Sequence, residues 1–167
     1  KNVSDTNAFG TLDNLYAQGK EWFLQSALSH PLEKQDFRIT VGGERCIQPH
    51  DMSVFNISAM SFGSLSANAI MALNQGAKIG GFTHDTGEGA ISPYHRKFGG
   101  DLIWELGTGY FGCRTAEGNF DAQSFAEKAV DPQVKMIEIK LSQGAKPGKG
   151  GVLPSEKITQ EIADTRQ

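Results

Sequence analysis

Apolar and polar positions alternate most clearly late in the chain. In "KMIEIKLS", Ile137, Ile139 and Leu141 alternate with Met136, Glu138 and Lys140, so a strand here has one wholly apolar face and one that carries both charges. Upstream, "VFNISAM" is rich in β-branched and apolar residues and predicts a strand that ends at "SFGS". Ser66 then stands where it can cap a helix with Ile70, Leu73 and Ala77 along one side, stopped by Gly80 and Gly81. "FTHDTGEG" and "LIWELGTGYFG" each read as a short strand running into a glycine loop. "DAQSFAEKAV" reads as a helix with Phe125, Ala129 and Val130 on a common side, and "SEKITQEIADTR" as another, with Ser155 as N-cap and Ile158 and Ile162 as its stripe.

Nearer the amino end, Leu12, Leu15 and Tyr16, then Trp22, Phe23 and Ala27, fall at helix-like intervals broken by Gly19, which predicts two short helices. In "FRITVGGERCIQP", Gly42 and Gly43 separate two strand-like runs and predict a two-residue hairpin. The chain thus divides into a helical extension over residues 1–35 and, over 36–167, a hairpin followed by strand–loop–helix units. Such alternation favours the α/β class with parallel strands. Only about three units are present, whereas a closed eight-fold barrel takes about 250 residues.

Composition narrows the function classes. The 20 glycines cluster in "GAKIGG", "TGEGA", "GTGYFGC" and "GAKPGKGG", a pattern of loops that approach a ligand with their backbones. A net charge of −3 without a basic stripe argues against a nucleic-acid partner. The longest apolar runs are far short of the roughly 20 residues that cross a bilayer, and "KNVSDTNAFG" lacks a signal-peptide core, so no membrane partner and a cytoplasmic location are expected. Cys46 and Cys113 belong to no C-x-x-C pair and read as two reduced thiols. A start at Lys1 hints at a segment of a larger protein.

Motifs for other chemistries fail on context. "GTGYFG" matches G-x-G-x-x-G after a strand, but "CRTAEGNFD" puts Gly118 and turn formers where the pyrophosphate-binding helix should begin. "GAKPGKGG" lacks phosphate-loop spacing because Lys149 is followed by Gly150. Its two lysines and free amides still suit an anion, against the plainer reading as a surface turn. His30, His50, His84 and His95 show no metal-ligand spacing, and no G-x-S-x-G elbow is present.

At "SAMSFGS", "DTGEG", "GYFG" and above all "EIKLSQGAKPGKGGVLP", the chain resembles the FMN domain of glutamate synthases, especially the shorter glutamate-synthase-like proteins of bacteria and archaea. The similarity covers roughly residues 53 to 166. It implies the amino-terminal portion of a (β/α)8 TIM barrel, bound FMN, and reduction of 2-iminoglutarate, formed from 2-oxoglutarate and ammonia, to L-glutamate. By position, Met60 and Ser61 resemble flavin-contacting residues after the first barrel strand, and Thr86 and Glu88 match the loop over flavin and substrate. Lys140 matches the flavin-contacting lysine, while Gln143, Lys146 and Arg166 match groups that hold 2-oxoglutarate. Glu88 and Lys146 are the catalytic candidates; Glu88 positions ammonia or moves a proton, or else orders its loop.

The resemblance also implies partners: the remainder of the barrel, an electron donor and a glutaminase subunit. Any iron–sulfur cluster belongs to sequence outside this chain, since neither Cys46 nor Cys113 matches the family's cluster ligands. Val152 replaces a usual glutamine, and Tyr110 stands where larger synthases often carry arginine. The alternatives are a methylamine-using relative and, from another class, a non-catalytic anion- or flavin-binding fragment or subunit.

Overall fold

The computed structural model describes residues 27, 28, 31, 37–142 and 153–167. The helices expected within residues 11–30 fall almost wholly outside the described residues, as do Gln143, Lys146 and Val152. The described chain from residue 37 onward belongs to one compact unit. No helix among the described residues is long and apolar enough to cross a membrane.

A hairpin comes first, with β1 (Arg38–Val41) antiparallel to β2 (His50–Ser53) and Val41 opposite His50. The connection is longer than the expected two residues. Gly42 takes φ 115°, and the Cys46 N–H then donates to the Gly43 carbonyl at 2.8 Å, so "GGERCIQP" is spent on a turn and the second strand starts beyond Pro49.

The second sheet is parallel, in the order β3 (His84–Asp85), β4 (Leu102–Leu106) and β5 (Val134–Ile139). The predicted strand over 54–60 is reduced to a parallel bridge between Ile57 and His84, extended by the Met60 N–H donating to the Asp85 carbonyl at 3.2 Å. α1 (Ala67–Gly80) follows as predicted: the Ser66 hydroxyl accepts from the Ala69 N–H at 3.3 Å, and Gly81, at φ 67°, ends the helix in the left-handed cap that favours glycine. Buried Asn74 joins Ile70 and Ala77 on its inner side, and its amide exchanges two hydrogen bonds with the Gly100 main chain, at 3.0 and 3.2 Å.

The remaining helices depart from expectation in instructive ways. α2 (Pro93–Arg96), a single turn capped by Ser92, is too short to leave a periodic signal. In α3 (Ala122–Ala129), Phe125 and Ala129 pack inward, but Val130 is the C-cap and is 74% exposed. Ser155 begins only a 3-10 turn (Ser155–Lys157); the cap of α4 (Gln160–Thr165) is Thr159, whose hydroxyl accepts from the Ile162 N–H. Ile158 therefore precedes the helix, while Ile162 enters a core cluster with Phe62 and Ile70. A mixed α/β architecture with a parallel sheet is what these elements establish.

Candidate functional site

The two faces of the parallel sheet differ in character. Trp104, Leu106 and Ile137 turn to one side and pack with Cys113, Phe125 and Ala129, with the Trp104 and Phe125 rings stacked at 5.5 Å. Strand alternation sends Asp85, Ile103, Glu105, Met136, Glu138 and Lys140 to the other face, where Asp85 pairs in register with Ile103 and Glu105 with Glu138. Ile137 thus packs against α3 as the alternation predicts. Ile139 and Leu141 have no such cover and are 68% and 84% exposed.

Lys140 organises the charged face. Its Nζ lies 3.2 Å from Glu88 Oε2 and 3.7 Å from Glu105 Oε1. Burial alone would lower its pKa, but the two carboxylates outweigh that and hold the ammonium above its usual range. Glu105 is buried, and burial pushes its carboxyl upward against the pull of Lys140, with Glu138 and Glu88 adding to the rise. Asp85 is raised to about 7 by burial, opposed by the Gly87 N–H that it accepts at 2.8 Å and reinforced by Glu138 and Glu105. Ligand atoms of Asp85, Glu105 and Glu138 lie within 4.8 Å of one another, so mutual repulsion adds to desolvation.

The loop after β3 is pressed onto the chain that follows Ile57. A Cβ on Gly87, at φ 65°, would come within 2.7 Å of the Ser61 nitrogen, and one on Gly89 within 2.9 Å of Ser61 Cβ. Thr86 is fully buried: its hydroxyl donates to the Gly87 carbonyl and accepts from the Glu105 N–H at 3.1 Å, tying this loop to β4. Gly107 gives Glu88 room, since a Cβ there would stand 2.9 Å from Glu88 Cβ. The Met60 side chain packs against the Phe62, Ile70 and Ile162 cluster, leaving its main chain toward the loop.

Arg166 reaches the same place from the carboxyl-terminal end. Thr159 starts α4, Ile162 anchors it beside Gly63, and Arg166 follows as the helix cap. Its Nη2 donates to the Phe62 carbonyl at 3.3 Å, its guanidinium lies 5.3 Å from the Phe111 ring centre, and its buried Nε has no hydrogen-bond partner among the described residues. Burial lowers its pKa, while the charge of Glu88 opposes the shift.

Among the candidates of the sequence, Ser61, Thr86, Glu88, Lys140 and Arg166 thus gather around the ends of β3 to β5. Gln143 and Lys146 lie outside the described residues. Three participants escape pattern reading: Asp85, Glu105 and Phe111. Glu105 had a signal, as the one charged residue in the otherwise apolar "LIWEL".

Comparison with known proteins places the chain in a family. Residues 15–167 match the family model described as a conserved region in glutamate synthase. The chain is 37% identical over 156 residues to the glutamate synthase large subunit-like protein YerD of Bacillus subtilis, covering 92% of this chain and 29% of that one. It is 36% identical over 136 residues to the archaeal glutamate synthase [NADPH] of Archaeoglobus fulgidus, covering 79% and 23%. To the archaeal-type glutamate synthase [NADPH] of Thermotoga sp. strain RQ2 it is 38% identical over 109 residues, covering 65% and 19%. The chain spans less than a third of the length of these relatives. No solved structure matches. With nearly its whole length matched to that conserved region, the chain belongs to the glutamate synthase family.

Proposed function

We propose that this chain is the amino-terminal part of a (β/α)8 barrel in an FMN-dependent, cytoplasmic glutamate synthase-like oxidoreductase that reduces 2-iminoglutarate, formed from 2-oxoglutarate and ammonia, to L-glutamate. The observation that carries the reading is the cluster at the ends of β3 to β5. There one lysine is held between two carboxylates, beside an arginine with an uncommitted Nε–H.

The donor set fits a flavin and a dicarboxylate. Lys140 offers an ammonium kept charged by Glu88 and Glu105, suited to the electron-rich edge of a flavin ring. The orphaned Nε–H of Arg166 and the fork geometry of guanidinium suit a carboxylate. FMN, held by Lys140 with Met60, Ser61 and Thr86, would supply the hydride chemistry for the reduction. This chain's own residues bind and orient: Arg166, with Gln143 and Lys146, holds the dicarboxylate, and Lys140 balances negative charge. Glu88 positions ammonia or passes a proton at its carboxylate, close to Lys140. Buried Thr86 keeps that loop in register with β4.

The test is reoxidation of the reduced flavin in the complete protein, purified from its natural gene. With ammonium present, 2-oxoglutarate should reoxidise the flavin and yield one glutamate per two electrons. Arg166→Ala should weaken 2-oxoglutarate by about 2 to 5 kcal/mol while leaving FMN affinity much less changed, because it removes one partner of a buried charge pair. Flavin that stays reduced in the presence of both substrates would refute the reading.

A further inference from the structure

On the side of β3 away from the charged cluster, His84, Ser92 and His95 are all fully buried. Ser92 and His95 cap α2 reciprocally: the Ser92 hydroxyl accepts from the His95 N–H at 3.3 Å, and His95 Nδ1 accepts from the Ser92 N–H at 3.1 Å. With Nδ1 used as an acceptor, the proton of the neutral ring sits on Nε2. That nitrogen donates to the Met60 carbonyl at 3.0 Å, 35 residues away along the chain. The His84 ring, at 5.2 Å between centres, packs against the His95 ring.

This second hydrogen bond goes beyond helix capping, because it grips the peptide between Met60 and Ser61. The Met60–Ser61 peptide is trans, so the Ser61 N–H points opposite to the Met60 carbonyl that His95 holds. The Met60 N–H is already spent on Asp85, and Gly87 and Gly89 press on Ser61 from the loop after β3. Among the described residues the Ser61 N–H makes no hydrogen bond. The result is a clamped peptide with one donor unspent.

We propose that His95 is a positioning residue: braced by Ser92 and packed on His84, it fixes the Met60–Ser61 peptide so that the Ser61 N–H is offered to a bound flavin. The proposal rests on the flavin-binding reading above. It adds that the orientation of the cofactor is set from behind the sheet, by a ring that never touches the cofactor. A ring locked through both nitrogens holds a peptide more firmly than solvent or a flexible side chain, which is what a donor preorganised for a ligand requires.

Two substitutions in the complete protein separate this role from plain packing. His95→Gln keeps a donor near the place of Nε2, whereas His95→Leu keeps bulk and removes the donor. FMN affinity from flavin fluorescence, the spectrum and reduction potential of the bound flavin, and apoprotein melting would be measured for both. We expect His95→Leu to weaken FMN about tenfold and to shift spectrum and potential, with His95→Gln within about threefold of wild type, although both melt lower. Equal FMN affinity and identical flavin spectra in the two variants would reduce His95 to a packing residue and overturn the proposal, with flavin binding itself intact. If His95→Leu does not fold, hydrogen exchange in wild type decides: the peptide containing Ser61 should exchange more slowly once FMN is bound, and unchanged exchange overturns the proposal. Wild-type protein that binds no FMN would instead remove the underlying functional reading, and this inference with it.

Discussion

The two faces of the β3–β4–β5 sheet carry opposite free-energy signs. Toward α3, Trp104, Leu106 and Ile137 bury apolar surface against Phe125, Ala129 and Cys113, which is favourable at roughly 25 cal/mol per Å². On the opposite face Asp85, Glu105 and Glu138 crowd together, and burial drives the Asp85 carboxyl up to about 7. Lys140 offsets only part of that cost, through Glu105 and Glu88. One face thus holds the fold, and the other is kept at a cost to stability. Strongly perturbed groups concentrated in one place mark a functional site better than a structural one.

That comparison breaks if the apolar face does not dominate stability. Trp104→Ala should cost about 3 to 5 kcal/mol, as for large aromatic deletions from cores, read as a lower urea midpoint with its slope unchanged. A loss under about 1 kcal/mol, the scale of surface changes, would mean that the Trp104 cluster does not carry the fold.

The charged face makes the opposite prediction. Asp85 has its folded pKa raised from 3.8 to about 7, so its contribution is full below pH 4 and is lost as pH rises through 7. Asp85→Asn keeps an oxygen for the Gly87 N–H and should stabilise the protein at pH 8 by on the order of 2 to 4 kcal/mol. Removing this acid should make stability rise more steeply with pH between 4 and 7. His84 and His95, each lowered to about 4 chiefly by burial, lose stability in the other direction, as pH falls from 6.5 toward 4. Urea midpoints of both proteins at pH 5 and pH 8 check this; an unchanged difference between the two pH values would contradict the buried-acid account.

The smallest effect sits between the faces, in the loop after β3. Ala90 is buried with φ 71°, a conformation that costs a non-glycine residue roughly 1 to 2 kcal/mol. Ala90→Gly removes that strain but adds unfolded-chain entropy, so a net gain of up to about 1 kcal/mol is expected in thermal melts. A marked loss would show that the Ala90 methyl, packed near Gly112, contributes more than the strain costs.

What was legible in the sequence followed physical periodicity. The alternation through Lys140 placed Ile137 against α3 and Lys140 among the charges, and Ser66 and Gly81 closed α1 with local bonds that depend on few other residues. Misreadings arose where tertiary contacts outweighed local signals. Two glycines suggested a tight hairpin, but the Gly43–Cys46 turn and Pro49 deferred the second strand. Ser155 and Thr159 are both sound caps by type; burial of Ile162 with Phe62 and Ile70 selects Thr159. The burial of Asp85 and Glu105 depends on neighbouring strands that one-dimensional spacing does not reveal, even though Glu105 stands out in "LIWEL". His84 and His95 show no metal-ligand spacing, and both are fully buried, His95 being bonded to the segment carrying Ser61.

If, as proposed, the charged face binds flavin through Lys140, FMN titration of the complete protein with and without Lys140→Met is decisive. Methionine keeps most of the stem while removing the ammonium shared by Glu88 and Glu105, whose loss is expected to weaken FMN by about 1 to 3 kcal/mol, or roughly 5- to 150-fold. Wild type should bind flavin tightly and stoichiometrically and the variant should show that loss, with the reduction potential of residual bound flavin shifted downward because the negative reduced ring has lost its cation. Wild-type affinity and an unchanged potential in Lys140→Met would contradict it.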